Sequence, residues 1–226
     1  MFITLVDSLQ TSCPMHKFTD DTTLSEFVAK STTNCTKACC DKLVHQSEEI
    51  RMNVNAHKTK MLIGPMAKDP PPLLSLCGAT VERVPVLKLL GVHASSDLKW
   101  TKHIDAMVSK AASHLYFLKQ LRRADVPTRE LLHFYTTVVR PVLEYACPVW
   151  HLGLTVAHSD LLKSVQRRAI RIIYPDANYK TSLIVAGINT FYERREVLIA
   201  KFFKTCSCQQ LNTAQPTPWS TRQWHW

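Results

Sequence analysis

Residues 100–123 read WTKHIDAMVSKAASHLYFLKQLRR, and this stretch decides the fold of the larger half of the chain. Its apolar residues recur at steps of three and four, a spacing that places them along one face of an α-helix. They are Ile104, Met107, Val108, Ala111, Leu115, Leu118 and Leu121. Ser95, Ser96 or Asp97 is expected to cap the start, because each carries a side-chain oxygen. The stretch therefore predicts a long amphipathic helix at the head of a helical region.

Three more helices are predicted after this one. The second follows Pro127, which suits the first turn of a helix, and Pro141 should kink it. Its apolar stripe comprises Leu131, Leu132, Tyr135, Val138, Val139 and Val142. The third helix begins near Ser159 and Asp160. Its stripe comprises Leu162, Val165, Ala169, Ile172 and Ile173. The fourth helix covers residues 191–204.

The residues before Asp97 mix short strands with one helix. Residues 15–26 alternate in a way that predicts two short strands around a tight turn. Residues 31–51 keep a rough helical spacing, whereas residues 60–63 and 81–92 are typical of strands. The chain as a whole is therefore expected to have an α+β fold.

The change of character near residue 96 divides the chain into three segments. We expect an α+β domain over residues 1–95 and a mainly α-helical domain over residues 96–205. Residues 206–226 form a tail that we expect to be disordered, since it is polar from residue 209 onward.

The charge of the chain is strongly basic and unevenly distributed. Lys and Arg number 28 against 18 Asp and Glu, which gives a formal net charge of +10. Residues 1–50 carry four basic and seven acidic side chains, and residues 51–226 carry 24 and 11. This asymmetry favours a phosphate-bearing partner for the basic part, with a solvated basic surface as the alternative. The candidate phosphate-binding residues are Arg122, Arg123, Arg167, Arg168 and Arg171.

Composition also excludes several classes of protein. The five glycines are too far apart for a P-loop or a Rossmann phosphate loop. Uncharged stretches before the tail, such as residues 181–192, are too short to span a bilayer, and residues 1–6 do not resemble a signal peptide. We expect an intracellular protein, nuclear or cytoplasmic, that is neither secreted nor membrane-bound. Its eight cysteines lack zinc-site spacing, which predicts scattered reduced thiols.

One motif carries possible chemistry. Asp20 and Asp21 follow Phe18 and Thr19 at the tip of the predicted hairpin. Two adjacent carboxylates on a rigid turn can bind a divalent metal for phosphoryl transfer. The alternative is an exposed acidic turn.

The run KFTDDTTL at residues 17–24 resembles the catalytic hairpin of non-LTR (LINE-type) retrotransposon reverse transcriptases. The resemblance continues in MNVN (52–55), KTK (58–60), LKLLGV (87–92), RPVLEY (140–145), PVW (148–150) and QRRA (166–169). It implies a partial polymerase palm over residues 1–95 and a thumb-like helical region over residues 96–205. The parent enzymes are RNA-directed DNA polymerases that use Mg²⁺.

By this resemblance, Asp20 and Asp21 are metal ligands and catalytic residues. Lys58 lies where the family has a lysine near the triphosphate, as a general acid. The family also has an earlier catalytic Asp and a fingers subdomain, and only 17 residues precede Phe18. We therefore expect a fragment that is inactive alone and binds no Mg²⁺ or small-molecule cofactor. Its expected partner is an RNA/DNA primer–template duplex, bound weakly and without sequence preference.

Two alternatives stay open. The chain can instead be a non-enzymatic module that interacts with protein or RNA. Residues 86–112 also resemble part of the N-terminal region of AlkB-type alkylation-repair homologues that modify tRNA. Neither an iron-binding His-x-Asp motif nor a methyl-donor glycine loop accompanies that segment.

Overall fold

The computed structural model describes residues 12–19, 21–26, 35–65 and 72–212, the last five of them as backbone only. The protein is α+β and divides into two compact units. We call residues 1–89 with 94–98 the first unit, and residues 90–93 with 99–226 the helical unit. Within the described residues, no helix is both long and apolar enough to cross a membrane.

The first unit begins with the predicted hairpin. Strands β1 (Met15–Phe18) and β2 (Asp21–Leu24) pair antiparallel, with Met15 opposite Leu24 and Phe18 opposite Asp21. Thr19 has a φ of 56°, the left-handed conformation that two-residue hairpin turns require. Among the described residues this sheet has two strands only, so the hairpin is not joined to a larger sheet.

Helix α1 (Thr36–Glu49) lies within the predicted range 31–51. Its N-cap residue Cys35 makes no side-chain cap, and the carboxylate of Glu26 takes that role. Glu26 accepts hydrogen bonds from the backbone N–H groups of Cys35 at 2.8 Å and Thr36 at 3.0 Å. Burial raises the pKa of Glu26, but these hydrogen bonds outweigh it and hold the pKa below its usual value.

Two cysteines of the first unit are not the scattered reduced thiols that we expected. Cys13, just before β1, forms a disulfide with Cys39 of α1. The Sγ atom of Cys35 lies 3.3 Å from that of Cys13. Sequence spacing missed this cluster because Cys13 is distant in sequence from the other two and reaches them only through folding.

The rest of the first unit is made of very short strands. They are β3 (Lys60–Met61), β4 (Ser75–Leu76), β5 (Ala79–Thr80), β6 (Glu82–Arg83), β7 (Val86–Leu89) and β8 (Val92–Ser95), the last of which also enters the helical unit. β3 pairs parallel with β6, β4 pairs antiparallel with β5, and β7 pairs with β8. Among described residues, a small core forms from Cys40, Leu74, Leu76 and Val81.

The helical unit is built from the predicted stripes. Its helices are α2 (Thr101–Arg123), α3 (Thr128–Phe134), α4 (Arg140–Glu144), α5 (Cys147–Trp150), α6 (Val156–Ile173), α7 (Tyr179–Ala186) and α8 (Phe191–Asn212). The core includes Ile104, Leu118, Leu131, Leu162 and Val165, so the apolar faces predicted for three of the helices are confirmed. The predicted cap of α2 is wrong, because its N-cap residue is Trp100.

Pro141 does not end the second helix. A π-helical stretch, Tyr135–Val139, connects α3 to α4, and Pro141 occupies the first turn of α4. Proline in a helix interior removes one hydrogen bond and clashes with the preceding turn, and a wider turn before it relieves that clash. The wider turn also keeps Leu131, Tyr135, Val139 and Leu143 on one buried face, although their steps of four exceed the α-helical period.

Three other helix features differ from the sequence prediction. α5 and α7 were not predicted, since each is short and carries no long stripe. α6 starts earlier than Ser159, because Thr155 caps it through a hydrogen bond from His158 N–H. α8 extends to Asn212, so residues 206–212 of the expected disordered tail are helical.

Candidate nucleic-acid interface

Helix α6 has one buried face and one basic face. Its buried residues are Leu162, Val165, Gln166, Ala169, Ile170 and Ile173. Its exposed cations are Lys163, Arg167, Arg168 and Arg171. The packing of the first face against the core therefore presents the second face to solvent, where a large anion can reach it.

Lys163, Arg167 and Arg171 form a row along the helix, which we call the basic row. They are four residues apart, so their Cα atoms are separated by about 6 Å along the helix axis. Asp160 is the helix's only acidic residue and precedes Lys163. Among described residues, no carboxylate forms an ion pair with the basic row. These charges are thus available to an external anion.

An aromatic ring supports the middle of the basic row. The guanidinium of Arg167 lies over the ring of Tyr179, with its Cζ atom 5.5 Å from the ring centroid. Such a cation–π contact is worth about 0.5–1 kcal/mol at an exposed site and restricts the side chain. Arg167 therefore pays less conformational entropy when it binds a phosphate than a free arginine does.

Gln166 holds Tyr179 in place from inside the fold. Its buried Oε1 atom accepts hydrogen bonds from Tyr179 Oη and from Phe191 N, each at 2.7 Å. Its Nε2 atom donates to Asn189 O at 3.0 Å. Burial raises the pKa of Tyr179, which keeps the hydroxyl a donor to this network. One side chain thus joins α6, α7 and the start of α8.

The other predicted arginines lie at the end of α2. Arg122 is half-buried, Arg123 is exposed, and both belong to the last helical turn. Cations there interact favourably with the partial negative charge of a helix C-terminus. Stabilisation of the helix end is enough to account for these two residues. Arg122 and Arg123 are therefore weaker candidates for phosphate binding than the basic row.

The predicted catalytic residues are not assembled into a described site. Asp20 lies outside the described residues. Asp21 is exposed at the start of β2, and Lys58 is an exposed loop residue whose N–H donates to Asn55 Oδ1 at 3.1 Å. Among the described residues, Asp21 belongs to no group of three possible metal ligands. The metal and catalytic roles of Asp20, Asp21 and Lys58 stay untested.

Lys163, Tyr179 and Gln166 were missed in the sequence. Lys163 had a detectable signal, because it lies one turn before Arg167 on the same predicted helix. Gln166 and Tyr179 had none, since their roles depend on contacts between helices that periodicity does not report.

Comparison with known proteins gives one partial match. Residues 100–140 match the family model of the N-terminal region of alkylated DNA repair protein alkB homolog 8. These residues build α2, α3, the π-helical stretch and the first residue of α4. The curated proteins and the solved structures that were compared contain no match to the chain.

This finding overturns the reverse-transcriptase resemblance. The match falls on the helices assigned above to a polymerase thumb, and no reverse-transcriptase family accompanies it. In the part of the chain that the structure describes, the hairpin forms a sheet of two strands, which agrees with that correction. The motifs that suggested the resemblance are short, and one of them, RPVLEY, has a structural role: Arg194 Nε donates to Glu144 Oε1 at 2.9 Å.

Proposed function

We propose that the chain is a non-enzymatic module whose helical unit binds the phosphate backbone of a nucleic acid through the basic row. The observation that carries this proposal is a row of three exposed cations that lack described acidic partners and stand on a helix with a fully packed opposite face. A nucleic-acid partner also agrees with the printed name of the matched family, which concerns repair of alkylated DNA.

The charge of the helical region supports a binding role without sequence preference. Residues 99–205 contain 17 Lys and Arg against eight Asp and Glu. Contacts between cationic side chains and phosphates position a protein but carry no sequence information. The basic row should therefore bind duplex RNA, duplex DNA and an RNA–DNA hybrid with similar affinity, and it requires no metal cofactor.

The test is a salt titration with a charge-neutralised variant. Arg167→Gln with Arg171→Gln should weaken binding of short fluorescein-labelled duplexes of all three kinds, measured by fluorescence anisotropy. Each lost phosphate contact should flatten the plot of log affinity against log salt by about 0.9 units on B-DNA, or about 2 units for both. The buried face of α6 is untouched, so the circular dichroism spectrum should be that of the parent chain.

The matched control is Lys201→Gln with Lys204→Gln, which removes the same charge from exposed positions on α8. This control should keep most of the affinity and the salt slope. Equal losses in both variants would show that net charge, rather than the basic row, determines binding. An Arg variant that binds like the parent chain would make α6 a solvated face and favour a protein-interaction module.

A further inference from the structure

Three sulfur atoms meet in the first unit, whereas the basic row belongs to the helical unit. Cys13 and Cys39 are buried and joined as a disulfide, and Cys35 is exposed beside them. The three Sγ atoms lie within 4.8 Å of one another, the one group of three possible metal ligands among the described residues. The sulfur atoms come from two chain segments. Cys13 lies just before β1, and Cys35 and Cys39 lie at the N-terminal end of α1.

The geometry of this cluster suits a thiophilic metal ion. A tetrahedral zinc ion holds its thiolate ligands at about 2.3 Å, which sets neighbouring sulfur atoms about 3.8 Å apart. The sulfur atoms of Cys13 and Cys35 are 3.3 Å apart, and no two of the three sulfur atoms are more than 4.8 Å apart, so the cluster is close to the size that a zinc ion requires once the disulfide is reduced. Cys35 and Cys39 lie one turn apart at a helix N-terminus, where the partial positive charge favours thiolates.

A carboxylate stands beside the three sulfurs. The Oε1 atom of Glu26 accepts a hydrogen bond from Cys35 Sγ at 3.0 Å. Glu26 is not one of the three grouped ligands, but its carboxylate lies beside Cys35 and can orient a water molecule at the fourth zinc position.

We propose that Cys13, Cys35 and Cys39 in their reduced form bind one Zn²⁺ ion, and that the Cys13–Cys39 disulfide is the alternative, metal-free state of the same site. A phosphine reductant breaks the S–S bond, becomes a phosphine oxide with oxygen from water, and leaves two thiols. Zn²⁺ then replaces the three thiol protons, which are released to solvent. The two states exclude each other, because a disulfide sulfur is no longer a thiolate.

The experiment uses Co²⁺ as a spectroscopic probe on the full chain. The phosphine-reduced protein should bind one Co²⁺ per chain with a thiolate-to-metal absorption band, and Zn²⁺ should abolish that band. The unreduced protein should show no band. Cys35→Ser should lower the Co²⁺ affinity by more than about tenfold, because even the loss of a residue that only orients a metal ligand typically costs about 10–100-fold. Cys77→Ser, which alters another exposed cysteine of the first unit, should bind Co²⁺ like the parent chain.

A second measurement needs no variant and so does not depend on how a variant folds. Zn²⁺ should protect Cys13, Cys35 and Cys39 of the reduced chain from alkylation and leave Cys77 reactive, as read by mass spectrometry of peptides. The proposal is overturned if the reduced chain gives no thiolate–Co²⁺ band, if Cys35→Ser binds as tightly as Cys77→Ser, or if Zn²⁺ leaves all four cysteines equally reactive.

Discussion

His103 shows how one buried polar side chain can link stability to pH. It is packed between Trp100 and Trp150, with ring centroids at 6.1 Å from each, and its Nε2 atom has no partner among the described residues. Burial lowers the pKa of His103, and neighbouring His93 lowers it further. The neutral imidazole is thus the form that the fold accepts.

The stability of the helical unit should therefore fall in mild acid. The unfolded chain protonates His103 near its ordinary pKa of about 6.5, whereas the folded chain does so only at lower pH. The contribution is fully present above about pH 6.5 and is lost as pH falls toward the folded pKa, with a slope of at most about 1.4 kcal/mol per pH unit. Urea unfolding from about pH 7.5 to about pH 5 measures it. His103→Leu should remove this slope, whereas His133→Leu, at an exposed position, should retain it. Equal slopes in both variants would contradict the assignment.

Single residues also show where sequence reasoning stops. Leu118 or Val165 could be assigned to the core because its neighbours at helical spacing are apolar, and periodicity is a local property. The role of Gln166 could not be predicted in this way. It depends on three hydrogen bonds to residues that are 13 to 25 positions away in the sequence. The disulfide partner of Cys13 was hidden for the same reason. The basic row could be predicted in part: its helix and two of its three cations, Arg167 and Arg171, were predicted, whereas Lys163 was not.

At the scale of elements, long helices were predicted better than short ones or their ends. α2 has its predicted span because its apolar stripe, Ile104 to Leu121, continues over about five turns. α5 is one turn long, and it is defined instead by Trp150, whose Nε1 atom donates to Tyr145 O at 2.8 Å. The π-helical stretch before Pro141 could not be predicted from the sequence. It forms because it relieves the steric clash of the proline and also keeps the core side chains on one face.

The turn between α5 and α6 leaves no room for a side chain at Gly153, and this can be tested. A methyl group at Gly153 would lie 2.5 Å from Trp100 Nε1 and 2.7 Å from its Cδ1 atom. Trp100 packs against the core of the helical unit, so its ring cannot move away without disturbing that packing. Gly153→Ala should thus destabilise the helical unit by about 1–3 kcal/mol, the usual cost of overpacking. Urea unfolding followed by near-UV circular dichroism measures this.

The control for that junction is Gly64→Ala, since a methyl group there meets no atom within 4 Å. It should change the unfolding free energy by no more than about 0.5 kcal/mol. A Gly153→Ala protein as stable as the Gly64→Ala protein would show that the Trp100 ring does not pack against this turn.

At the scale of the whole molecule, the two units differ in how they are stabilised. The described residues of the helical unit bury a continuous core that includes Trp150, Tyr135 and Phe191. The first unit buries a much smaller core, around Leu74, Leu76 and Val81, and adds the Cys13–Cys39 disulfide. Small domains with little buried apolar surface often depend on such a crosslink. Loss of the disulfide should therefore affect one unit and spare the other.

Limited proteolysis with and without a phosphine reductant, in the presence of a metal chelator, tests this difference. A disulfide that closes a loop of 26 residues stabilises a fold by about 3–4 kcal/mol in the chain-entropy description. Reduction should accordingly accelerate cleavage within residues 12–89 many-fold, while a fragment containing residues 99–205 persists at an unchanged rate. Cys13→Ser should reproduce the reduced pattern without reductant, because it removes the same crosslink. The chelator keeps metal from replacing the disulfide as a crosslink. If reduction speeds cleavage of the helical fragment as much as that of the first unit, the two units share their stability and the disulfide acts on the molecule as a whole.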